Sequence, residues 1–263
     1  MAENEEWALV TGASSGIGKA LARAFATKGY HVFLTARNEQ ALQRVASDCA
    51  KEFNIRTRTF AADLSDLNAV DALIAACADA RYRFAVLANN AGFGVRGPFL
   101  ETNLDAELRM LGVQLAAMLK LTKAVTPGML ARKSGHILNV ASVYSFSPVP
   151  YQTVYGACKA FVLSFSAALR EELKGTGVTV TALCPGVTQS EFRARAGIPE
   201  KKKGAGATAR EVAEIAARRT LKGDALVIPG LANLLFVFLA RHAPLSIFPR
   251  FMTAINNVRG VNA

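Results

Sequence analysis

Thr11-Gly12-Ala13-Ser14-Ser15-Gly16-Ile17-Gly18 is the stretch whose reading decides the fold. A short apolar run, Trp7 to Val10, enters it. Helical periodicity leaves it from Ile17 to Lys28, and Gly29 stops the pattern. Glycines 12, 16 and 18 therefore stand between a strand and a helix. Glycine lets the backbone turn and lets a diphosphate approach, while the helix start offers N–H donors and positive potential. Close helix–strand packing alone would use the same glycines, but both flanks favour the phosphate reading. Ser14, Ser15 and Ile17 belong to the same turn.

Working outward, apolar runs and helical patterns alternate. His31–Ala36, Thr57–Ala62, Phe84–Ala88, His136–Ala141, Val178–Cys184 and Ala225–Ile228 read as strands. Helical spacing predicts helices over Gln40–Phe53, Asp66–Ala80, Leu104–Lys133 with a break near Pro127, Val154–Lys174, Thr208–Lys222 and Leu231–Arg241. Strands apolar throughout, alternating with helices, imply a parallel sheet covered on both faces. The expected fold is α/β, one doubly wound domain over residues 1–263, with an apolar helical tail over about 230–263. In such sheets ligands bind beyond the carboxyl ends of the strands.

The second strand ends at Leu34-Thr35-Ala36-Arg37 without an acid for a ribose 2′-hydroxyl. Arg37 can instead fork onto a 2′-phosphate, which points to NADP(H) rather than NAD. Ser14 and Asn38 can add hydrogen bonds. Asp63-Leu64 follows the third strand, where the acid either accepts from an adenine amino group or caps the next helix. Asn89-Asn90-Ala91-Gly92 follows the fourth, where side-chain amides can tie strand ends together and line a ribose.

Tyr155 and Lys159 lie four apart at a helix start and so share a face. A lysine beside a tyrosine favours phenolate and pulls the phenol toward neutrality, which suits acid–base work on a carbonyl. Such a pair is common on helices. Ser142, just beyond a strand end, adds a hydroxyl that can hold and polarise a carbonyl oxygen.

Together these pieces resemble the short-chain dehydrogenase/reductase family. The matching residues are 11–18, Asp63-Leu64, 89–92, Ser142, Tyr155-Gly156-Ala157-Cys158-Lys159 and Pro185-Gly186-Val187-Thr188. The likeness covers about residues 6–230. It implies a Rossmann-type fold and a nicotinamide cofactor. Ser142 would orient the carbonyl, Tyr155 would donate the proton, and Lys159 would bind the nicotinamide ribose. Pro185, Gly186, Val187 and Thr188 would contact the nicotinamide end, beneath a lid over about 187–208. An arginine after the second strand is the family's mark of NADP(H) preference. One departure stands out: many members carry an Asn in the central helix that helps hold a water linked to the catalytic lysine. Gln114 occupies that place here.

A substrate pocket is expected from Phe93, Tyr144, Phe146, Tyr151 and Phe192, with Val95, Phe99 and Pro148 nearby. Their apolar and aromatic character suits a hydrophobic small molecule. The leading expectation is an NADPH-dependent carbonyl reductase or the corresponding alcohol dehydrogenase. Alternatives are a 3-oxoacyl thioester reductase and an NADP(H)-binding sensor with little turnover.

The rest is bounded by composition. The net charge is +11, from 31 basic and 20 acidic residues, but the basic residues are scattered and no nucleic-acid motif accompanies them. The run Lys201–Lys203 reads as a solvated loop. Cys49, Cys77, Cys158 and Cys184 form no Cys-x-x-Cys pair and read as reduced and buried, suggesting a cytoplasmic chain. His31, His136 and His242 lack metal-ligand spacing, so no metal is expected. The apolar tail suits a subunit contact, with a homodimer or homotetramer expected, or a peripheral membrane contact.

Overall fold

The computed structural model describes residues 6–79, 82–189, 206–244 and 247–256. Seven strands form one parallel sheet: β1 (Glu6–Thr11), β2 (His31–Ala36), β3 (Thr57–Ala61), β4 (Arg83–Asn89), β5 (Gly135–Val140), β6 (Val178–Leu183) and β9 (Leu226–Val227). Their order is β3-β2-β1-β4-β5-β6-β9. The chain runs outward from β1 to β3, then crosses back to β4 on the other side of β1. This reversal is the switch point of a Rossmann-type sheet, and it opens a crevice at the carboxyl ends of β1 and β4. Val10 pairs with Ala88, Asn89 with Asn139, and Val140 with Leu183, so the strand ends finish level.

Successive strand residues serve opposite faces. Ala8, Val10, Val32 and Leu34 pack against α1 (Gly16–Ala26), α2 (Glu39–Phe53) and α7 (Ala209–Leu221), through Phe25, Leu42 and Val212. Trp7, Leu9 and Phe33 pack the other way, against α3 (Leu67–Cys77) and α5 (Ala117–Arg132), through Leu73, Leu121 and Met129. Two cores, one on each face, explain why these strands are apolar throughout. The helix α6 (Thr153–Glu172) covers β5 and β6. The four cysteines are free and buried.

Two expectations along the central helix are corrected. Pro127 does not break α5, because it sits on the exposed face, where the carbonyl it leaves unpaired stays hydrated. The irregularity falls earlier: α4 (Leu104–Leu111) widens into a π-turn, Gly112–Ala116, before α5 begins. Beyond α8 (Leu231–His242) the tail holds a further short helix, α9 (Phe248–Asn256), which the helical spacing did not reveal. Pro249 stands in its first turn, a place where proline is tolerated. A small parallel pair, β7 (Thr188–Gln189) and β8 (Ala207–Thr208), brackets most of the expected lid. Phe192 and residues 190–205 lie outside the described residues. Among the described residues no helix is long and apolar enough to cross a membrane. None of their His, Cys, Asp and Glu side chains form a group of three that could hold a metal.

Candidate active site

The turn after β1 is held from beneath. Thr11 Oγ1 accepts from the Asn90 and Ala91 amides, at 2.9 Å each, and the Asn90 side chain donates to the Thr11 carbonyl at 2.8 Å. The ends of β1 and β4 are thereby locked together, as expected of the amides at 89–92. Asn89 ties to Thr122 and Asn139, and Asn139 to Ser166, in a buried polar row. Gly12 adopts φ +65, and a Cβ there would stand 2.9 Å from Ala91 Cα. A Cβ on Gly18 would fall on the Gly12 carbonyl. Ser15 begins α1 in extended backbone without a side-chain cap, and no acid stands in the first turn. The result is a cradle of bare backbone at a helix N-terminus, with Ser14, Ser15, Gly16 and Ile17 half-buried in it. Its shape and polarity fit a dinucleotide diphosphate.

Arg37 is exposed just beyond β2, with Nη1 3.9 Å from the Asp63 carboxylate. Asp63 also accepts from the Ser65 amide at 2.9 Å and hydroxyl at 2.8 Å. Partial burial pushes this carboxyl up. The Ser65 donors, Arg37 and Arg109 outweigh it and hold Asp63 below the usual carboxylate range. Of the two readings of Asp63, the helix cap falls away, since Asp66 caps α3 by accepting from Asn68. Asn38 turns out to cap α2, accepting from the Ala41 amide at 2.9 Å. Leu64 is buried in the core on the α3 and α5 face of the sheet.

Ser142, Tyr155 and Lys159 are all buried and come together beyond β5. Ser142 begins a single 3₁₀ turn, Val143–Phe146, and its Oγ accepts from the Tyr144 amide at 3.1 Å. Ser145 Oγ donates to the Lys159 carbonyl at 2.7 Å and accepts from the Ser142 amide at 3.2 Å, clamping α6 to the strand end. Sequence reasoning passed over Ser145 and Thr11. The partners of Thr11 lie 79 and 80 residues along the chain, and the clamp of Ser145 to Lys159 spans 14 residues, so neither contact shows in local spacing. Lys159 Nζ donates to the Val140 carbonyl at 2.8 Å and stands 5.6 Å from the Tyr155 ring centre.

The electrostatics correct one expectation. Burial pushes the Tyr155 phenol well above its ordinary value, and a hydrogen bond with the Ser142 hydroxyl only partly offsets this. Burial brings Lys159 down to about 8. Lys159 is still mostly charged at neutral pH, but burial of the phenol itself dominates and keeps it above its ordinary value. The free protein therefore stores Tyr155 as the phenol.

Gln114 is buried on the π-turn, where the widened backbone carries its long side chain beneath Gly92. A Cβ on Gly92 would stand 3.1 Å from Gln114 Oε1. Its Nε2 donates to the Phe93 carbonyl at 3.0 Å. Oε1 of Gln114 and Oδ1 of Asn89 are buried without a protein partner. Both residues, with Lys159, line a cavity of about 10 Å³. That is about the room one water needs, and the polar lining suits one.

Phe93 and Tyr144 pack around Tyr155, with Val95 beside them. Phe146 and Val149 meet the tail, where Phe236 stands 6.3 Å from the Tyr144 ring. Tyr151 is half-buried at φ 65, a left-handed backbone, and its carbonyl accepts from Gly97 at 2.9 Å. Phe99 and Pro148 are exposed. The Pro185 carbonyl accepts from Val143 at 3.1 Å, and Thr188 donates to the Gly186 carbonyl at 3.2 Å. Gly186, Val187 and Thr188 thus lead directly from the Ser142 turn to the small β7–β8 pair.

Comparison with known proteins agrees with this geometry. The family model for short chain dehydrogenase matches residues 6–201. The very-long-chain 3-oxoacyl-CoA reductase of Bos taurus is 38% identical over 184 residues, covering 68% of this chain and 58% of the reductase. The chain thus spans little more than half the length of that relative. An uncharacterized oxidoreductase of Staphylococcus epidermidis is 33% identical over 199 residues, 76% of this chain and 85% of its own. Among solved structures, a short-chain dehydrogenase from Sphingobium yanoikuyae in complex with NADPH superposes with TM-score 0.81 at 29% identity, over 98% of both chains. A structure titled for 7beta-hydroxysteroid dehydrogenase stereoselectivity gives 0.85 at 26% identity, over 94% of this chain and 96% of its own. The chain belongs to the short-chain dehydrogenase/reductase family.

Proposed function

We propose that this chain is an NADPH-dependent reductase of an apolar carbonyl compound, with Tyr155 as the proton donor. The observation that carries the reading is Tyr155, buried together with Ser142 and Lys159 beyond β5. Reduction needs the phenol form at the start, and burial supplies it. NADPH, when bound, supplies the hydride. Gly12, Ser14, Ser15, Gly16, Ile17 and Gly18 would hold its diphosphate. Arg37 would hold the 2′-phosphate, supported by the absence of an acid at that strand end. Asp63, Leu64, Asn90, Ala91 and Gly92 would flank the adenosine. Pro185 to Thr188 would meet the nicotinamide end.

Ser142 would donate to the substrate carbonyl oxygen and fix it against the phenol. Tyr155 then gives its proton to that oxygen as negative charge develops there. Lys159, brought down to about 8 and so still mostly charged at neutral pH, would stabilise the phenolate left behind. Gln114 and Asn89 would hold a water next to Lys159 through which the proton is replaced. Phe93, Tyr144, Phe146 and Tyr151 would wall the pocket.

A second reading, reduction of a 3-oxoacyl thioester, draws support from the very-long-chain 3-oxoacyl-CoA reductases among the relatives. The deciding experiment follows NADPH consumption by the purified protein on a panel of apolar ketones, aldehydes and 3-oxoacyl thioesters. Turnover on the ketones supports the first reading, and turnover confined to thioesters the second. Tight NADPH binding without consumption on any member would leave two readings, a substrate outside the panel or a cofactor sensor.

A further inference from the structure

The outer face of the tail is apolar and uncovered. Leu231, Leu234, Leu235, Phe238 and Leu239 are all exposed, with Leu231 at 84%, Leu235 at 60% and Phe238 at 58%. Their spacing is i, i+3, i+4, i+7, i+8, which is one stripe along α8. Ile247 and Phe251 extend the exposed apolar set at α9. The opposite face of α8 is the packed one. Val237 and Ala240 are buried, and Phe236 meets Tyr144 and Phe248. Asn233 sits so close to the Pro185-Gly186 turn that a Cβ on Gly186 would strike it. The helix is therefore firmly seated, and its stripe faces outward by construction.

The charge carried by α8 and α9 is of one sign. Arg241 lies in the last turn of α8 and Arg250 in α9, both exposed. Downstream of Asp224 the sequence holds no Asp or Glu at all. A seated apolar stripe with arginines and no acids matches the interfacial helices that lie in the headgroup region of anionic bilayers. A second copy of the chain fits less well. A twofold contact presents the same patch on both sides, so the arginines of α8 and α9 would meet their own kind with no acid on either helix to answer them.

We propose that the outer stripe of α8 and α9 docks this protein on an anionic lipid surface, apolar side chains entering the acyl boundary and Arg241 and Arg250 meeting the headgroups. The inner face of the same helix packs on Tyr144 and Phe146, which the reductase reading makes walls of the substrate pocket, so docking would set that pocket against the lipid, from which an apolar carbonyl compound could enter. That last step rests on the reductase reading; the docking does not.

The test is flotation of the full chain with phosphatidylcholine vesicles and with vesicles that also contain phosphatidylserine, over a salt series. The expected result is binding to the anionic vesicles that weakens as salt rises. Leu235→Asp with Phe238→Asp should cut binding more than tenfold, since each side chain withdraws a large apolar burial. Arg241→Glu and Arg250→Glu should each cost about fivefold or more. NADPH binding by every variant should match the parent, which checks that the fold is intact. Should the Asp variant not fold, the salt series on the unaltered chain still decides. No binding to either vesicle, or binding untouched by these substitutions, overturns the proposal. So does a concentration-dependent dimer that the Asp variant splits while vesicles stay unbound. Vesicle binding without carbonyl turnover keeps the docking and removes the reductase reading.

Discussion

The Lys159 ammonium donates to the carbonyl of Val140, the last residue of β5, at 2.8 Å. This single bond points a buried cation at the strand end where Ser142 begins. It also leaves the cation in a place with little water, which brings it down to about 8 from an ordinary 10.5. The native value lies below the unfolded one, so between about 8 and 10.5 the unfolded chain holds more of this proton. Stability contributed through Lys159 therefore rises with pH across that window. Urea unfolding of the parent and of Lys159→Met from pH 7 to 10 should show it as a positive slope in the parent-minus-variant difference. A flat difference would show that Lys159 keeps an ordinary lysine titration.

Tyr155→Phe should lower kcat about 10²- to 10⁴-fold while NADPH affinity changes little. Ser142→Ala should lower it about 10²- to 10³-fold, by removing a donor to the developing oxyanion. Steady-state kinetics with calorimetric NADPH binding measures both. Ultraviolet titration of the cofactor-free protein, parent against Tyr155→Phe, should find no phenolate from this residue at neutral pH, because burial raises it. Full activity in Tyr155→Phe would remove it from the proton step.

Gln114→Leu keeps the volume but deletes the amide that serves the Phe93 carbonyl. An unsatisfied, partly buried carbonyl costs about 1–2 kcal/mol, and each kcal/mol lowers Tm by about 2–4 °C at this chain length. If the cavity beside Lys159 holds the relay water, kcat should also fall about tenfold with KM for NADPH unchanged, the lower end of proton-transfer effects. A loss of Tm with no change in kcat would confine Gln114 to a structural role.

Arg37→Ala should raise KM for NADPH about 10- to 100-fold, the worth of a hydrogen bond to a charged group. NADH should be used no worse than before. The Asp63 carboxyl, losing a cation 3.9 Å away, should titrate higher. Equal losses for both cofactors would place Arg37 outside 2′-phosphate recognition.

Much of this was legible before any coordinates. The strands announced themselves because both faces of the sheet are covered, so Val32 to Leu34 could only be apolar. The glycine turn and the Ser142, Tyr155 and Lys159 set carried spacing that chemistry makes recognisable, and the structure brings all three together. Other features are invisible in one dimension. The widening at Gly112–Ala116 has no residue signature, and Pro127, which looked like the break, lies where water excuses it. Asn38 was read only as a hydrogen-bond partner of the cofactor, and its Oδ1 also caps α2. The relation of Lys159 to Tyr155 was misjudged because a residue pair shows proximity and not burial, and burial dominates both groups. The helix α9 was hidden by the proline in its first turn.

The level strand ends have a kinetic consequence. Val10 pairs with Ala88 across the whole excursion through β2 and β3, and Val140 pairs with Leu183 across α6. Pairings that distant make loop closure slow relative to local helix formation. The nucleotide cradle needs the first of these closures, while the proton-donating end needs both. Refolding from urea should thus regain NADPH binding no later than it regains turnover. Stopped-flow nucleotide fluorescence against double-jump activity assays would read the order, and turnover returning first would contradict it.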